Sequence, residues 1–122
     1  MIGYAMVGSN DLEKAKGFYD GVLGELGAKR GWATDRMQAY STGENSSPLV
    51  VCKPHDGKAA NFGNGTMISL LAPSREAVDK THAKALASGG RDEGAPGLRG
   101  ETFYGAYFRD LDGNKLCVFK KG

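Results

Sequence analysis

Two stretches of the chain carry apolar side chains at helical spacing, and each follows a short apolar segment. The first begins at Asn10, with Glu13 placed as in a capping box, and ends at Gly27. The second has Ser74 as its predicted N-cap and ends at Gly89. The pattern predicts one helix in each half. The two apolar stripes are Leu12, Ala15, Phe18, Tyr19, Val22, Leu23 and Leu26, and Ala77, Val78, Thr81, Ala85 and Leu86.

Segments typical of strands surround both helices. Residues 2–8 and 66–72 precede them, residues 29–33, 36–41 and 49–53 follow the first, and residues 91–93, 102–109 and 115–120 follow the second. Residues 95–100, with Pro96 and two glycines, are predicted to form a mobile loop. The order βαβββ therefore occurs twice. A ferredoxin-like βαββαβ order is the rival, but the interval between Gly27 and Ser74 has room for three strands and a linker.

This order predicts an α+β fold in a single domain, residues 1–122. The first module covers about residues 1–57, a linker rich in Gly, Lys and Asn covers about 54–65, and the second module covers about 64–122. Hydrophobic residues make up 40% of the chain and charged residues 25%, which is ordinary for a soluble protein. The net charge of +2, without a basic block, argues against nucleic acid as a partner.

No apolar run approaches the length of a membrane span, and the N-terminus lacks a charged region followed by a long apolar one. We therefore expect a cytoplasmic protein with no membrane partner. In that reducing compartment Cys52 and Cys117 are expected to be free thiols.

The C-terminal run is typical of a hairpin whose turn contains Asp112-Gly113-Asn114. Alternation places Lys115, Cys117 and Phe119 on one face of the last strand and Leu116 and Val118 on the other. Tyr104 and Tyr107 lie on opposite faces of the preceding strand, so only one of them faces a ligand site there. Asp110 and Asp112 are interpreted as turn residues, because their spacing does not match a calcium loop.

Three motifs together resemble the vicinal oxygen chelate superfamily, which contains glyoxalase I, bleomycin-resistance proteins and extradiol dioxygenases. They are residues 9–13 with Phe18-Tyr19, residues 73–78 with Gly89-Gly90, and residues 107–114, where Leu111 stands at a position usually occupied by Pro. The resemblance implies a cupped eight-stranded mixed sheet with helices on the outside. It also implies a homodimer and a small organic molecule in the cup.

Metal-dependent members of that superfamily hold a divalent ion with His or Glu on four strands. The resemblance places Tyr4, Met67 and Cys117 at three of these positions, and the fourth strand, residues 48–54, has neither an acid nor a histidine. A catalytic metal needs about three protein ligands, so no metal and no other cofactor is expected. His82, on the second helix, and His55, in the linker, are interpreted as half-buried or solvated residues outside the site.

The candidate ligand-binding residues are apolar and aromatic with a few polar groups, as in many small-molecule pockets. They are Tyr4, Met6, Trp32, Met67, Ser69, Arg99, Tyr107, Cys117 and Phe119. Alternatives stay open for several of them. The large side chains can fill the cup, Trp32 can serve an edge or an interface, Arg99 can gate the site, and Cys117 is either a buried inert thiol or a nucleophile if Lys115 stabilises its thiolate.

Three functions are compatible with these residues. The favoured one is a metal-independent small-molecule binding protein of the glyoxalase/bleomycin-resistance type. The alternative is a glyoxalase-like lyase or isomerase, either metal-dependent or using Tyr and Cys117. The third is a domain without a free cavity that acts through its dimer surface.

Overall fold

Eight strands form two four-stranded sheets in the computed structural model, which describes residues 1–122. Sheet A has the order β1-β4-β3-β2 and sheet B the order β5-β8-β7-β6. The strands are β1 (Ala5–Gly8), β2 (Lys29–Ala33), β3 (Met37–Ser41), β4 (Leu49–Cys52), β5 (Ile68–Leu71), β6 (Arg91–Arg99), β7 (Phe103–Arg109) and β8 (Lys115–Lys121). Helix α1 (Leu12–Gly24) follows β1, and α2 (Arg75–Ala87) follows β5.

The two sheets have the same topology. In each, the first strand runs parallel to the last, and the remaining neighbours are antiparallel. The predicted α+β fold of two tandem βαβββ modules is confirmed. Neither helix has the length and apolarity needed to cross a membrane.

Each sheet has one face that packs against the helices, which we call the helix-covered face, and an opposite open face. The helix-covered faces and both helices contribute to one core of 17 buried hydrophobic residues. Phe18 of α1 reaches Phe108 of β7 with ring centroids 6.4 Å apart, so the core is continuous between the modules. Because this core takes the helix-covered faces, the two open faces are left for other contacts.

A buried carboxylate in the β7–β8 turn ties the modules together. Asp110 accepts hydrogen bonds from the Tyr19 hydroxyl of α1 at 2.5 Å, from the side chain and backbone N–H of Asn114, and from the backbone N–H of Asp112. Asn114 also donates to the carbonyl of Gly8 in β1. Burial raises the pKa of Asp110 from its ordinary value and that of Tyr19 well above its own. The turn residues of the sequence motif therefore hold the second module against the first.

The helix starts were predicted with mixed success. The N-cap of α1 is Asp11, which accepts from the backbone N–H of Lys14, so the prediction of Asn10 was wrong. The Asn10 side chain instead accepts from the backbone N–H of Ala60 in the linker. Ser74 caps α2 as predicted, through the backbone N–H of Ala77.

The prediction of a mobile loop at residues 95–100 was wrong, because most of it belongs to strand β6. This strand lies at the edge of sheet B and its register shifts twice, between Asp92 and Gly94 and between Gly94 and Gly97. An edge strand with bulges accommodates Gly94 and Gly97, and it also accommodates Pro96, which lacks a backbone N–H. The residues that suggested a loop are those that an irregular edge strand tolerates.

His82 is buried, which corrects its interpretation as a half-buried or solvated residue. It shares the buried side of α2 with Val78, Thr81 and Ala85, whereas the predicted stripe residue Leu86 is exposed. The His82 ring lies 3.0 Å from the Asp92 carboxylate at the start of β6. This contact lets a polar ring occupy a core-facing helix position.

We predict that Tyr19→Phe lowers the free energy of unfolding by about 2 kcal/mol, because it removes a donor from a buried carboxylate. Tyr40→Phe is the matched control, since its hydroxyl bonds the more exposed Asp20 and the carbonyl of Lys16. We expect that control to cost about 1 kcal/mol or less. Urea unfolding measures both, and equal losses would contradict a special role for the Asp110 contact.

Candidate functional site

The open face of sheet A is apolar and carries an aromatic pair. Tyr4 directly precedes β1 at one edge of the sheet, and Trp32 lies on β2 at the other. Their rings meet nearly edge to face, with centroids 5.9 Å apart. Strands β4 and β3 lie between these two edges, so the two side chains meet above them. Val50 of β4 and Ala39 of β3 are buried there. Because Tyr4 and Trp32 remain 54% and 47% exposed, both rings are accessible to a ligand or a partner.

A cavity of about 390 Å³ lies between this face and the linker. Met6, Gly8 and Cys52 line it from sheet A, and Arg36 and His55 are among its other lining residues. Burial raises the pKa of the Cys52 thiol, and Arg36 opposes that effect only in part. Sequence reasoning missed Cys52 and Arg36 here, although alternation along β4 could have placed Cys52 on the same face as Met6.

The open face of sheet B carries a tyrosine held between two cations. Tyr107 of β7 stands opposite Cys117 of β8 in the strand register. The Arg99 guanidinium lies 5.3 Å and the Lys115 ammonium 5.6 Å from the centroid of the Tyr107 ring. Burial, followed by the neighbouring Cys117, raises the pKa of the Tyr107 phenol, so the hydroxyl stays protonated near neutral pH and can donate a hydrogen bond. Cys117 itself is 0% exposed.

Glycines make the space in which the Arg99 side chain lies. A Cβ atom added at Gly94 would approach both the Arg99 guanidinium and the Tyr107 ring to 3.0 Å. Arg99 donates from one nitrogen to the carbonyls of Gly97 and Gly105. The guanidinium is therefore fixed over the tyrosine ring by backbone contacts. This position at the end of a strand corrects the interpretation of Arg99 as a residue on a mobile loop.

The remainder of this face combines a neutralised ion pair with an aromatic stack. Arg109 and Glu93 form a hydrogen-bonded pair at 2.6 Å, and this bond holds the pKa of Glu93 below its usual value. Phe103 and Phe119 stack with centroids 4.9 Å apart. Arg99 and Lys115 have no carboxylate within ion-pair distance. The face thus presents uncompensated positive charge beside an apolar surface.

The candidate residues predicted from the sequence fall into two groups on separate sheets. Tyr4, Met6 and Trp32 belong to sheet A, while Ser69, Arg99, Tyr107, Cys117 and Phe119 lie on sheet B and Met67 directly precedes β5. A cavity of about 410 Å³ that joins the modules is lined by the predicted residues Met67 and Ser69 together with Ala5, Leu49 and Ile68, and the last three pack against the core. Tyr107, rather than Tyr104, is the tyrosine of β7 on the open face, since Tyr104 packs against the core.

Comparisons with known proteins agree with this architecture. Residues 1–118 match the family described as the Glyoxalase/Bleomycin resistance protein/Dioxygenase superfamily. The chain belongs to this superfamily. A crystal structure of a glyoxalase/bleomycin resistance protein from Albidiferax ferrireducens T118 is 39% identical, with a TM-score of 0.92, and the match covers 100% of this chain and 99% of that one.

Two more distant structures share the fold. A glyoxalase/bleomycin resistance protein/dioxygenase family enzyme from Burkholderia phytofirmans PsJN is 19% identical with a TM-score of 0.78, and the match covers 98% of each chain. Lactoylglutathione lyase from Agrobacterium tumefaciens is 18% identical with a TM-score of 0.70, covering 96% of this chain and 91% of that one. No curated protein matches the sequence.

The residues of this chain do not fit the divalent metal that metal-dependent superfamily members hold. No three His, Cys, Asp or Glu side chains lie close enough together to bind an ion. Of the positions at which the resemblance places metal ligands, Tyr4 offers a phenol, Met67 a thioether and Cys117 a buried thiol. One thiol cannot complete a coordination shell of about three protein ligands.

We predict that the Tyr107 ring shields Cys117 from thiol reagents. In a Cys52→Ser background, Tyr107→Ala should increase the rate of reaction with Ellman's reagent by about tenfold or more, because a buried thiol becomes accessible. Tyr104→Ala is the control, since Tyr104 lies on the helix-covered face of the same strand, where its hydroxyl bonds Asp79. Equal rates in the two variants, with both folded by circular dichroism, would contradict this shielding.

Proposed function

We propose that residues 1–122 act as a single glyoxalase-like domain that binds a small organic molecule without a metal, in the cytoplasm. The observation that carries the proposal is the arrangement on the open face of sheet B. There the ring of Tyr107 lies between the cations of Arg99 and Lys115, next to Cys117. Such a set offers one hydrogen-bond donor and two cations beside apolar surface, which suits an organic ligand better than a metal ion.

The open face of sheet A supports the same proposal, because it offers apolar contacts to an organic ligand. Exposed aromatic side chains such as Tyr4 and Trp32 provide large contact areas at small cost in side-chain entropy. The cavity beside Met6 and Cys52 gives this face a recess of small-molecule size.

A glyoxalase-like lyase or isomerase is the second candidate. The observation that favours it is the protonated Tyr107 phenol beside Cys117, with Arg99 and Lys115 near enough to stabilise a negative charge that develops on a substrate. The structure named lactoylglutathione lyase supports only a common fold, because its identity to this chain is 18%. The buried state of Cys117 weighs against its use as a nucleophile.

A homodimer is proposed because the open faces leave large apolar side chains in solvent. Leu71 on β5 is 69% exposed, and Met6 and Met67 are each more than 40% exposed. Large apolar side chains exposed in this way are common at interfaces. A second copy of the chain that covers part of the open faces would remove it from water. A dimer can also cover exposed strand edges.

We expect the purified protein to bind organic ligands without a stoichiometric divalent metal. Elemental analysis should find far less than one metal per chain. In a thermal-shift screen with the organic compounds that stabilise the wild type, Tyr4→Phe and Tyr107→Phe should each reduce the shift for at least part of the set. A metal at about one per chain that is lost in Cys117→Ser would instead support the lyase. A ligand insensitive to both tyrosine substitutions would place the binding site elsewhere.

We also expect the chain to sediment as a dimer, at twice the monomer mass of 12.9 kDa, at high micromolar concentration. Leu71→Asp should shift the equilibrium towards monomer, because it buries a charge in the proposed interface. Leu98→Asp is the matched control, since Leu98 is 53% exposed and alternates with Arg99 to the opposite face of β6. A wild-type monomer at that concentration would overturn the proposal.

A further inference from the structure

The basic side chains on the open face of sheet B outnumber the acidic ones. Strand register places Arg91 and Arg99 opposite Arg109 and Phe103, so all four share this face. Lys115 and Lys121 join them from β8, opposite Arg109 and Phe103. Glu93 bonds Arg109 and is the one carboxylate with a contact on this face. The face is thus electropositive although the whole chain has a net charge of only +2.

Two of the cations without an ion-pair partner lie against the same aromatic ring. Arg109 is neutralised by Glu93, whereas Arg99 and Lys115 both lie over the ring of Tyr107. The Arg99 hydrogen bonds to the carbonyls of Gly97 and Gly105 use one guanidinium nitrogen, which leaves its other N–H donors for a ligand. A guanidinium and an ammonium beside one ring attract an acidic group, and the phenol hydroxyl of that ring can donate a hydrogen bond to its oxygens.

Apolar surface adjoins the cations along the same strand. Lys115, Cys117 and Phe119 follow each other on one face of β8, at a spacing of roughly 7 Å for every two residues. Phe119 stacks on Phe103, and Leu71 stands beside Phe119 in the strand register. A ligand that lies along β8 therefore meets the charge of Lys115 beside the flat apolar surface of the Phe119–Phe103 stack, and Lys121 lies beyond that stack.

We infer that the ligand is an amphipathic organic anion, whose acidic group binds at Tyr107 close to Arg99 and Lys115 and whose apolar ring or chain lies on Phe119 and Phe103. This inference rests on the proposed binding function and narrows it to one chemical class. A carboxylate and a phosphonate present the same charged oxygens to Arg99 and Lys115, so both belong to that class.

Glycine at two positions supports a built site for this anion. Gly94 leaves the volume that the Arg99 guanidinium occupies, and a Cβ at Gly105 would meet the Phe103 ring at 2.5 Å. The cation and the aromatic stack both depend on the absence of these side chains. The arrangement is held by the backbone before any ligand arrives, which lowers the entropy lost on binding.

Three naphthalene probes test the inference with the full chain: 2-naphthoate, 2-naphthylphosphonate and the neutral 2-naphthamide. We expect at least one of the acids to bind about tenfold or more tightly than the amide in titrations of naphthalene fluorescence. The stronger of the two acids identifies the acidic group that the site prefers. Raising the ionic strength should weaken binding of the acids and leave the affinity for the amide unchanged.

Matched lysine variants assign the binding to this face. Lys115→Gln should weaken binding of the acid by about tenfold and leave that of the amide unaltered. Lys120→Gln removes the same charge from the same strand on its opposite face and should have no effect. Arg99→Lys keeps the charge but loses the planar guanidinium. It should weaken binding of the acid by less than Lys115→Gln and by more than Lys120→Gln.

The outcomes separate this inference from the proposed function. An amide that binds as tightly as the acids, or equal effects of Lys115→Gln and Lys120→Gln, would overturn the inference and leave a binding protein for uncharged compounds. Failure of all three probes, while the thermal-shift screen finds other organic ligands, would also overturn the inference alone. Failure of every organic compound in both experiments would overturn both.

Discussion

The buried carboxylate of Asp110 is the contact on which the arrangement of the modules depends. Its four hydrogen-bond donors come from α1 and from the β7–β8 turn itself, and Asn114 extends the network to β1. A carboxylate placed in a protein interior is tolerated only when it is well hydrogen-bonded. The β7–β8 turn must therefore lie where the Tyr19 hydroxyl can donate to Asp110. This requirement fixes the position of sheet B relative to α1 and, through the shared core, relative to sheet A.

The fixed relation of the two modules leaves two open faces with different chemistry. Both arise from the same strand order, yet sheet A presents Tyr4, Met6 and Trp32, while sheet B presents Arg99 and Lys115 around Tyr107. The helices and the core use the opposite faces of the strands, so these side chains lie outside the shared core. A fold of this kind can carry different side chains on its open faces and so host different functions.

Much of this could be predicted from the sequence because it depends on local rules. Period-2 alternation correctly placed Tyr104 and Tyr107 on opposite faces of β7 and Cys117 and Phe119 on one face of β8, since a short hairpin fixes its own register. The position of Arg99 could not be predicted in that way. It depends on the two register shifts of β6, and Pro and Gly at those positions also favour a loop.

Long-range contacts account for the other errors. Asn10 has the sequence features of an N-cap, but its side chain is used by Ala60, and the neighbouring Asp11 caps the helix. His82 is polar, yet the distant Asp92 carboxylate satisfies its ring and allows burial. In each case the side chain contacts a residue outside the short stretch of sequence that predicts a helix or a strand.

The irregular edge of sheet B has a consequence for how the protein avoids aggregation. A regular edge strand offers alternating N–H and C=O groups to any extended chain that approaches it. In β6 the bulges at Gly94 and Gly97 break that alternation, and Pro96 removes one donor. An incoming strand cannot extend sheet B across β6 in continuous register. The segment that holds Arg99 over Tyr107 thus also protects this edge of sheet B from fibrillar self-association.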